Sequence, residues 1–347
     1  MASLSETDFR EDILSRDGGR CVICGEGASR VEDIMDRRLW DDGGLYPDNA
    51  ATLCDAHAGE CLATRIDLEA LRNAAAVSLC IPPQLYAMQR YDRWGNPVLK
   101  DGRRARGELF FEPDVQKSLR DAGLLDIFSH WVKYPRTYLL PWSESSNEGE
   151  RDIGTIEQFE GRRVVLTEKM DGENVTLYRD FMHTRSVETH RHASREWLEW
   201  RWQDIRERIP PGWRICGEYV FATHTIEYAN LPSYFLGFSV WNAQNVCLDW
   251  DATRAFLDAL GLACVPVLYD GPFDRSHLGE VWRRHGGPHS EGYVMRVADE
   301  IPYRDFRRLA GKFIRADYRQ SEPVKRNIQH GEPIRSNVLL DPTDTTA

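Results

Sequence analysis

No apolar run in this chain approaches the ~18 residues that a membrane-spanning helix needs, and its polar start, MASLSETDFRED, lacks the hydrophobic core of a signal peptide. Neither membrane anchoring nor export is expected. There is no internal repeat and no long low-complexity tract, so neither a solenoid nor an extended biased linker is expected. Positive charge is not in excess. Lys and Arg total 44 against 55 Asp and Glu, and the net charge of −11 excludes a uniformly basic coat for nucleic acid. A local basic groove is still open, because phosphate contacts depend on where cations cluster. Eight cysteines in 347 residues are too sparse for a disulfide scaffold, and a reducing, cytoplasmic setting is expected.

At ~150 residues per domain the length suggests two domains. Composition places the boundary near 125/126. Before it lie short elements separated by Gly, Asp and Pro, and after it comes the aromatic, apolar stretch LLDIFSHWVKYPRTYLLPW. Residues 143 to 152, SESSNEGERD, read as a polar loop before the strand RRVVLT. WRICGEYV, YFLGFSVW and EGYVMRV read as further strands. SREWLEWRWQDIRERI reads as a helix with Trp197, Trp200 and Ile205 on one side, stopped by Pro210-Pro211-Gly212. DATRAFLDAL reads as a helix begun by Asp251. Helices and strands mix without regular βαβ spacing, which predicts an α+β fold with mixed or antiparallel sheets.

Two short chelating pairs stand near the amino terminus, Cys21-x2-Cys24 and Cys54-x2-His57. Three thiolates and one imidazole suit a closed, tetrahedral structural zinc site, with Cys61 as a competing ligand. The order CVICG then PDNATLCDAH resembles the zinc-supported HNH-type ββα fold, with Asn49 at the family's central asparagine. Glu32 and Asp33 stand where the general-base histidine belongs, and Ala58 where a second catalytic histidine is frequent. The resemblance therefore implies a module that has lost nuclease chemistry and serves folding or nucleic-acid contact. Trp94 and the run Lys100, Arg103, Arg104 and Arg106 follow it as candidate RNA contacts.

The heptamer Glu168-Lys169-Met170-Asp171-Gly172-Glu173-Asn174 sets one lysine among acids and a glycine between two strand-like runs. MHTRS, ICGEYV, YFLGFSVW, EGYVMRV and GKFIR follow in order. Together these segments resemble motifs I, Ia, III, IIIa, IV and V of ATP-dependent RNA ligases, members of the lysyl-adenylate nucleotidyltransferases, over roughly residues 130 to 320. The resemblance implies an ATP-grasp-like adenylation domain at 126–347, after an HNH-like zinc module with its basic and aromatic extension at 1–125.

It also implies site roles. Lys169 is the nucleophile toward the α-phosphorus of ATP, and its pKa must fall from ~10.4 for that. Asp171 contacts the lysine or metal-bound water, and Gly172 permits close backbone approach. Glu168 and Asn174 belong to the nucleotide site, with Arg185 and Ser186 toward phosphate or sugar. Glu218 meets ribose hydroxyls, Phe235 stacks on adenine, and Phe238 supports the sheet. Glu291 is linked to Mg²⁺ or Mn²⁺, and Lys312 points to the α-phosphate. Ile314 stands where a second motif V lysine is common, leaving Arg315 as the added cation. Upstream, Lys133 and Arg136 are candidate phosphate contacts, while His190 and His192 are assigned to surface or substrate contacts.

The implied activity is sealing of RNA 3′-OH and 5′-phosphate ends, with a role in RNA repair. Nicked duplex RNA and RNA/DNA hybrids are candidate substrates, and no protein or membrane partner is expected. About 32 residues follow Arg315, too few for an ordinary downstream OB domain. The alternatives are a DNA or mixed-substrate ligase and a non-catalytic RNA end-binding protein.

Overall fold

The computed structural model describes residues 6–85, 87–144, 150–185, 193–287, 289–318 and 335–340. Ser186, His190, His192 and the first part of the tail after Pro323 lie outside them. The chain divides into two compact units, Met1–Lys133 and Tyr134–Ala347.

In the first unit, α1 (Glu6–Arg16) precedes a two-stranded antiparallel ribbon, β1 (Arg30–Asp33) and β2 (Ala50–Leu53), followed by α2 (Asp55–Leu62). This is a ββα arrangement. α3 (Leu68–Ala74) and α4 (Pro113–Asp121) complete it, with Asp67 capping α3 through the amides of Glu69 and Ala70. Asn49 is fully buried. Its Oδ1 accepts from the Met35 amide at 3.0 Å and its Nδ2 donates to the Met35 carbonyl at 2.9 Å, closing the long β1–β2 connection. Trp94 is 4% exposed, with Arg38 and Arg93 guanidinium groups against its ring. It is a core residue, and no nucleic-acid base can reach its face.

The second unit begins with β3 (Tyr138–Leu139), β4 (Arg163–Glu168), β5 (Glu173–Leu177), β6 (Met182–Thr184) and α5 (Glu196–Ile205). It continues with β7 (Arg214–Tyr219), β8 (Phe235–Trp241), β9 (Val246–Cys247), α6 (Trp250–Ala259) and β10 (Val267–Pro272). It closes with α7 (Arg275–His285), β11 (Gly292–Val297), β12 (Ile301–Pro302), α8 (Phe306–Leu309) and β13 (Ala310–Ile314). Among the described residues the strands form two sheets, ordered β10-β4-β11-β13-β3 and β12-β9-β8-β7-β5-β6. The pairings are antiparallel except β13 with β3. The mixed-sheet α+β expectation therefore holds. The chain passes from one sheet to the other at residues 169–172, between β4 and β5.

Two helix readings change. α5 buries Leu198, Trp202 and Ile205, the i, i+4, i+7 stripe, whereas Trp200 is 67% exposed. α6 starts one residue earlier than expected. Asp249 caps it through the Ala252 amide at 2.8 Å, and Asp251 instead pairs with Arg163.

Candidate active site

Strand register builds the site. Val294 on β11 faces Lys312 on β13 and Thr167 on β4, so the three side chains form one row across three strands. Arg296 follows two residues along β11 on the same face. In the other sheet, Asn174 on β5 lies opposite Glu218 on β7. These rows line a cleft whose wall includes the adjoining rings of Tyr134, Phe238 and Phe306.

Lys169 occupies the crossing turn, and its Nζ donates to Glu291 Oε2 at 2.6 Å. Burial opposes its charge, but the attractions of Glu291 and Glu218 outweigh that and hold its pKa above the ordinary lysine value. The expected lowered pKa is not a property of these residues alone, because two carboxylates face the amine. Glu218 is displaced the other way: burial pushes its carboxyl up to about 8, despite Lys169 nearby. Burial raises the Glu291 carboxyl as well, opposed by Lys169, and near neutral pH Glu218 is largely protonated.

Lys312, 9% exposed, donates to Glu150 Oε1 at 2.7 Å. Burial draws its pKa below the ordinary value, with Lys169 and Arg185 adding repulsion and Glu150 opposing the shift. Glu168 also lines the cleft, its carboxyl raised by burial and held partly in check by a Ser290 hydrogen bond. Asn174 also lines the cleft, and its Oδ1 is buried without a hydrogen-bond partner among the described residues. Arg185 completes this wall.

Several expected placements differ. Asp171 does not line the cleft. Its Oδ2 accepts from the amides of Thr225 and Ile226 at 2.8 and 2.9 Å, and its Oδ1 accepts from the Tyr318 hydroxyl at 3.0 Å. With both oxygens committed, it anchors the turn rather than touching the lysine or a metal. Gly172 permits a close approach to the protein itself, since a Cβ there would lie 2.5 Å from the Tyr219 carbonyl. Arg315 donates to the Ser290 carbonyl at 2.8 Å and pairs with Asp317 at 2.7 Å, just past the end of β13 and outside the cleft. Upstream, Tyr134, Pro135 and Thr137 line the cleft in place of Lys133 and Arg136, and Lys133 donates to Gln89 within the first unit.

The aromatic assignment also reverses. Phe235 is wholly buried in the core beneath the sheet, where its ring fills the space above Gly217. Phe238 lines the cleft, with the Tyr134 ring edge-on at 5.1 Å. The ladder runs Cys216↔Ser239 and then Gly217↔Gly237, leaving Phe238 as an extra, bulged residue. That insertion re-aims the side chain.

In the first unit, Cys21, Cys24, Cys54 and His57 bring their ligand atoms within 4.8 Å of one another. His57 Nδ1 lies 3.4 Å from Cys21 Sγ and 3.2 Å from Cys54 Sγ, and Cys24 Sγ lies 3.9 Å from Cys54 Sγ. A tetrahedron with ~2.3 Å zinc–sulfur bonds has edges of about 3.8 Å, so this donor set fits zinc. Burial works against ionisation of Cys21, but backbone donors around it, Cys54 first, bring its pKa down to about 6. Cys61 is buried elsewhere, with Arg93 donating to its sulfur at 3.3 Å, and is no ligand. Asp33, where the nuclease base would stand, is paired with Arg37 at 3.0 Å.

Residues 162–314, which carry the lysine, both acids and Lys312, match the family model described as RNA ligase. The match covers less than half of the chain, and over that segment the chain is similar to RNA ligases. Among solved structures, an archaeal ATP-dependent RNA ligase is similar at 22% identity and a TM-score of 0.39, over 53% of this chain and 48% of that one. The Naegleria gruberi RNA ligase with PPi is similar at 17% identity and a TM-score of 0.39, over 58% and 59%. A substituted form of that ligase with ATP and Mn gives 16% and 0.37, over 54% and 57%. The alignment thus spans about half the length of the archaeal ligase. No curated protein matches the chain. No helix among the described residues is long and apolar enough to cross a membrane.

Around this cleft, motif reading found Lys169, Glu218, Glu291 and Lys312. It missed Thr167, Arg296 and Tyr134 on the walls, and Glu150 as the partner of Lys312. Strand alternation was the available signal for Thr167 and Arg296, two residues before Lys169 and two after Val294. Nothing local marks Glu150 within an acidic loop.

Proposed function

We propose that the chain is an ATP-dependent RNA ligase that seals 3′-OH and 5′-phosphate RNA ends through a lysyl-AMP intermediate. The observation that carries this reading is the convergence of Lys169, Glu218 and Lys312 on one cleft, with Glu291 paired to the Lys169 amine.

ATP enters with its base at the Tyr134–Phe238 end and its ribose toward Asn174 and Glu218. Lys312 and Arg185 offset charge on the transferring phosphoryl group. Lys169 gives up a proton, and its nitrogen forms a bond to the α-phosphorus as the bond to pyrophosphate breaks. Glu291, 2.6 Å from the amine, is placed to take that proton. The AMP group then passes to a 5′-phosphate, and a 3′-hydroxyl attacks that activated end, releasing AMP. Orientation in the cleft removes much of the entropy cost at each step.

Glu168 and Glu291 are hard oxygen donors suited to Mg²⁺ or Mn²⁺, which bind through one or two carboxylates together with phosphates. Such an ion supplies charge neutralisation on the phosphates. In the first unit, Cys21, Cys24, Cys54 and His57 hold a structural zinc. That unit, HNH-like without its catalytic imidazoles, serves to grip RNA.

Incubation with α-labelled ATP and Mg²⁺ or Mn²⁺ tests the reading. Label should attach covalently to the wild-type chain and be absent from Lys169→Ala. An unlabelled wild type across both metals would point to a non-catalytic end-binding protein. Pre-adenylated nicks in RNA, RNA/DNA and all-DNA duplexes separate the substrate classes.

A further inference from the structure

The segment 335–340 runs alongside the connection between β7 and β8 and is tied to it by main-chain bonds. The Asn337 amide donates to the Phe221 carbonyl at 2.8 Å, Val338 to Tyr228 at 3.0 Å and Leu340 to Leu231 at 2.8 Å. Asn337 itself is 1% exposed. Its Nδ2 donates to the Val220 carbonyl at 2.8 Å, and its Oδ1 accepts from the Tyr228 amide at 2.9 Å and the Thr223 hydroxyl at 3.1 Å. A buried amide satisfied on both ends fixes its neighbours, because any displacement strands a polar group.

The connection pinned in this way holds the lysine turn. Thr225 and Ile226 donate their amides to Asp171 Oδ2, and the Asp171 amide donates to the Tyr228 hydroxyl at 2.8 Å. Tyr228 therefore joins two anchors: its own amide rests on Asn337, and its hydroxyl receives the amide two residues after Lys169. Neither Asn337 nor Tyr228 lines the cleft.

We propose that Asn337 is a positioning residue for adenylation, setting the reach of the Lys169 amine through Tyr228 and Asp171. This rests on the reading of Lys169 as the nucleophile. A displacement of ~1 Å at a reacting atom can cost about 10²-fold in rate while leaving binding contacts intact. A role confined to stability would lower the melting temperature without selecting the chemical step.

The test is single-turnover adenylation of the full chain with α-labelled ATP and Mg²⁺, with thermal unfolding of the same samples. Asn337→Ala should lower the rate at saturating ATP about 10- to 100-fold and leave the ATP concentration for half-maximal rate within about 3-fold. Asn337→Asp, which keeps the acceptor for the Tyr228 amide, should recover part of the loss. In a Tyr228→Phe background, Asn337→Ala should cost much less than in the wild type, because both act through one chain of contacts. A folded Asn337→Ala with unchanged saturating rate, or losses that multiply fully in the double variant, would overturn the proposal. If Asn337→Ala does not fold, Tyr228→Phe decides, and a wild-type rate there overturns it. A wild type that takes no label overturns the Lys169 reading and this inference together. A labelling wild type with an unaffected Asn337 variant overturns this inference alone.

Discussion

The metal-ligand set of the first unit and the lysine cleft of the second bring charged or ionisable groups together by opposite routes. Cys21 with Cys24, and Cys54 with His57, form two knuckles, one for each pair, so local spacing fixes much of the geometry before the chain folds. Their sulfur and nitrogen atoms stand at the edges of one small polyhedron. The cleft gathers Lys169 from the turn after β4, Glu218 from β7 and Lys312 from β13, and each lysine already holds a carboxylate, Glu291 or Glu150. The first arrangement gathers thiols and an imidazole with the spacing of a metal site. The second sets opposite charges side by side, Lys169 with Glu291 and Lys312 with Glu150. A site built for permanence satisfies its ligands once, whereas a site built for turnover needs partners that can be given up.

The largest expected effect comes from breaking the permanent site. Cys54→Ser should reduce zinc from about one per chain to near zero, and the first unit should lose its cooperative unfolding transition. Structural zinc contributes folding energy outright. Elemental analysis with circular dichroism reads both, and normal unfolding without metal would remove the contrast drawn above.

The two phenylalanines of β8 sharpen it next. Phe235→Ala should cost about 3–5 kcal/mol of stability, as for a wholly buried aromatic. Phe238→Ala should cost less stability and weaken ATP binding by about 0.5–1.5 kcal/mol of ring interaction. Denaturant unfolding and an ATP titration of adenylation separate them. The reverse pattern would restore Phe235 as the base platform.

Glu218→Gln has a smaller effect that depends on pH. The folded carboxyl titrates at about 8 and the ordinary one near 4.5. The folded state therefore binds more protons than the unfolded state between those values, and this residue's contribution to stability falls as pH rises through that window. The variant should be more stable than the wild type at pH 9 by about 1–2 kcal/mol after solvent screening, and about equal to it at pH 4. Parallel pH curves for the two proteins would contradict the assignment. The smallest effect is expected of Trp200→Ala, within about 0.5 kcal/mol, because that ring is mostly in water.

These contrasts follow what the sequence made legible. Order and spacing exposed Lys169, both acids, Lys312 and the Cys/His cluster, since each sits in a short, chemically unusual segment. The strands were also readable, from RRVVLT through EGYVMRV. Which face of β8 meets the cleft was not readable, because one bulged residue reverses the alternation after it. Asp171 and Arg315 looked like ligand groups because their partners, the 225–226 amides and Ser290, come from other parts of the chain. Glu150 lies 162 residues before Lys312 and meets it only in the folded domain. The lysine pKa likewise depended on distances rather than composition, as Glu291 at 2.6 Å outweighs burial.

The turn at 169–172 is a covalent link between the two sheets, and Gly172 presses it against Tyr219 with no room for a methyl group. Lys169 is thus strung between the two sheets, and its nitrogen takes its place from both at once: a shift of either sheet against the other is felt at that one atom.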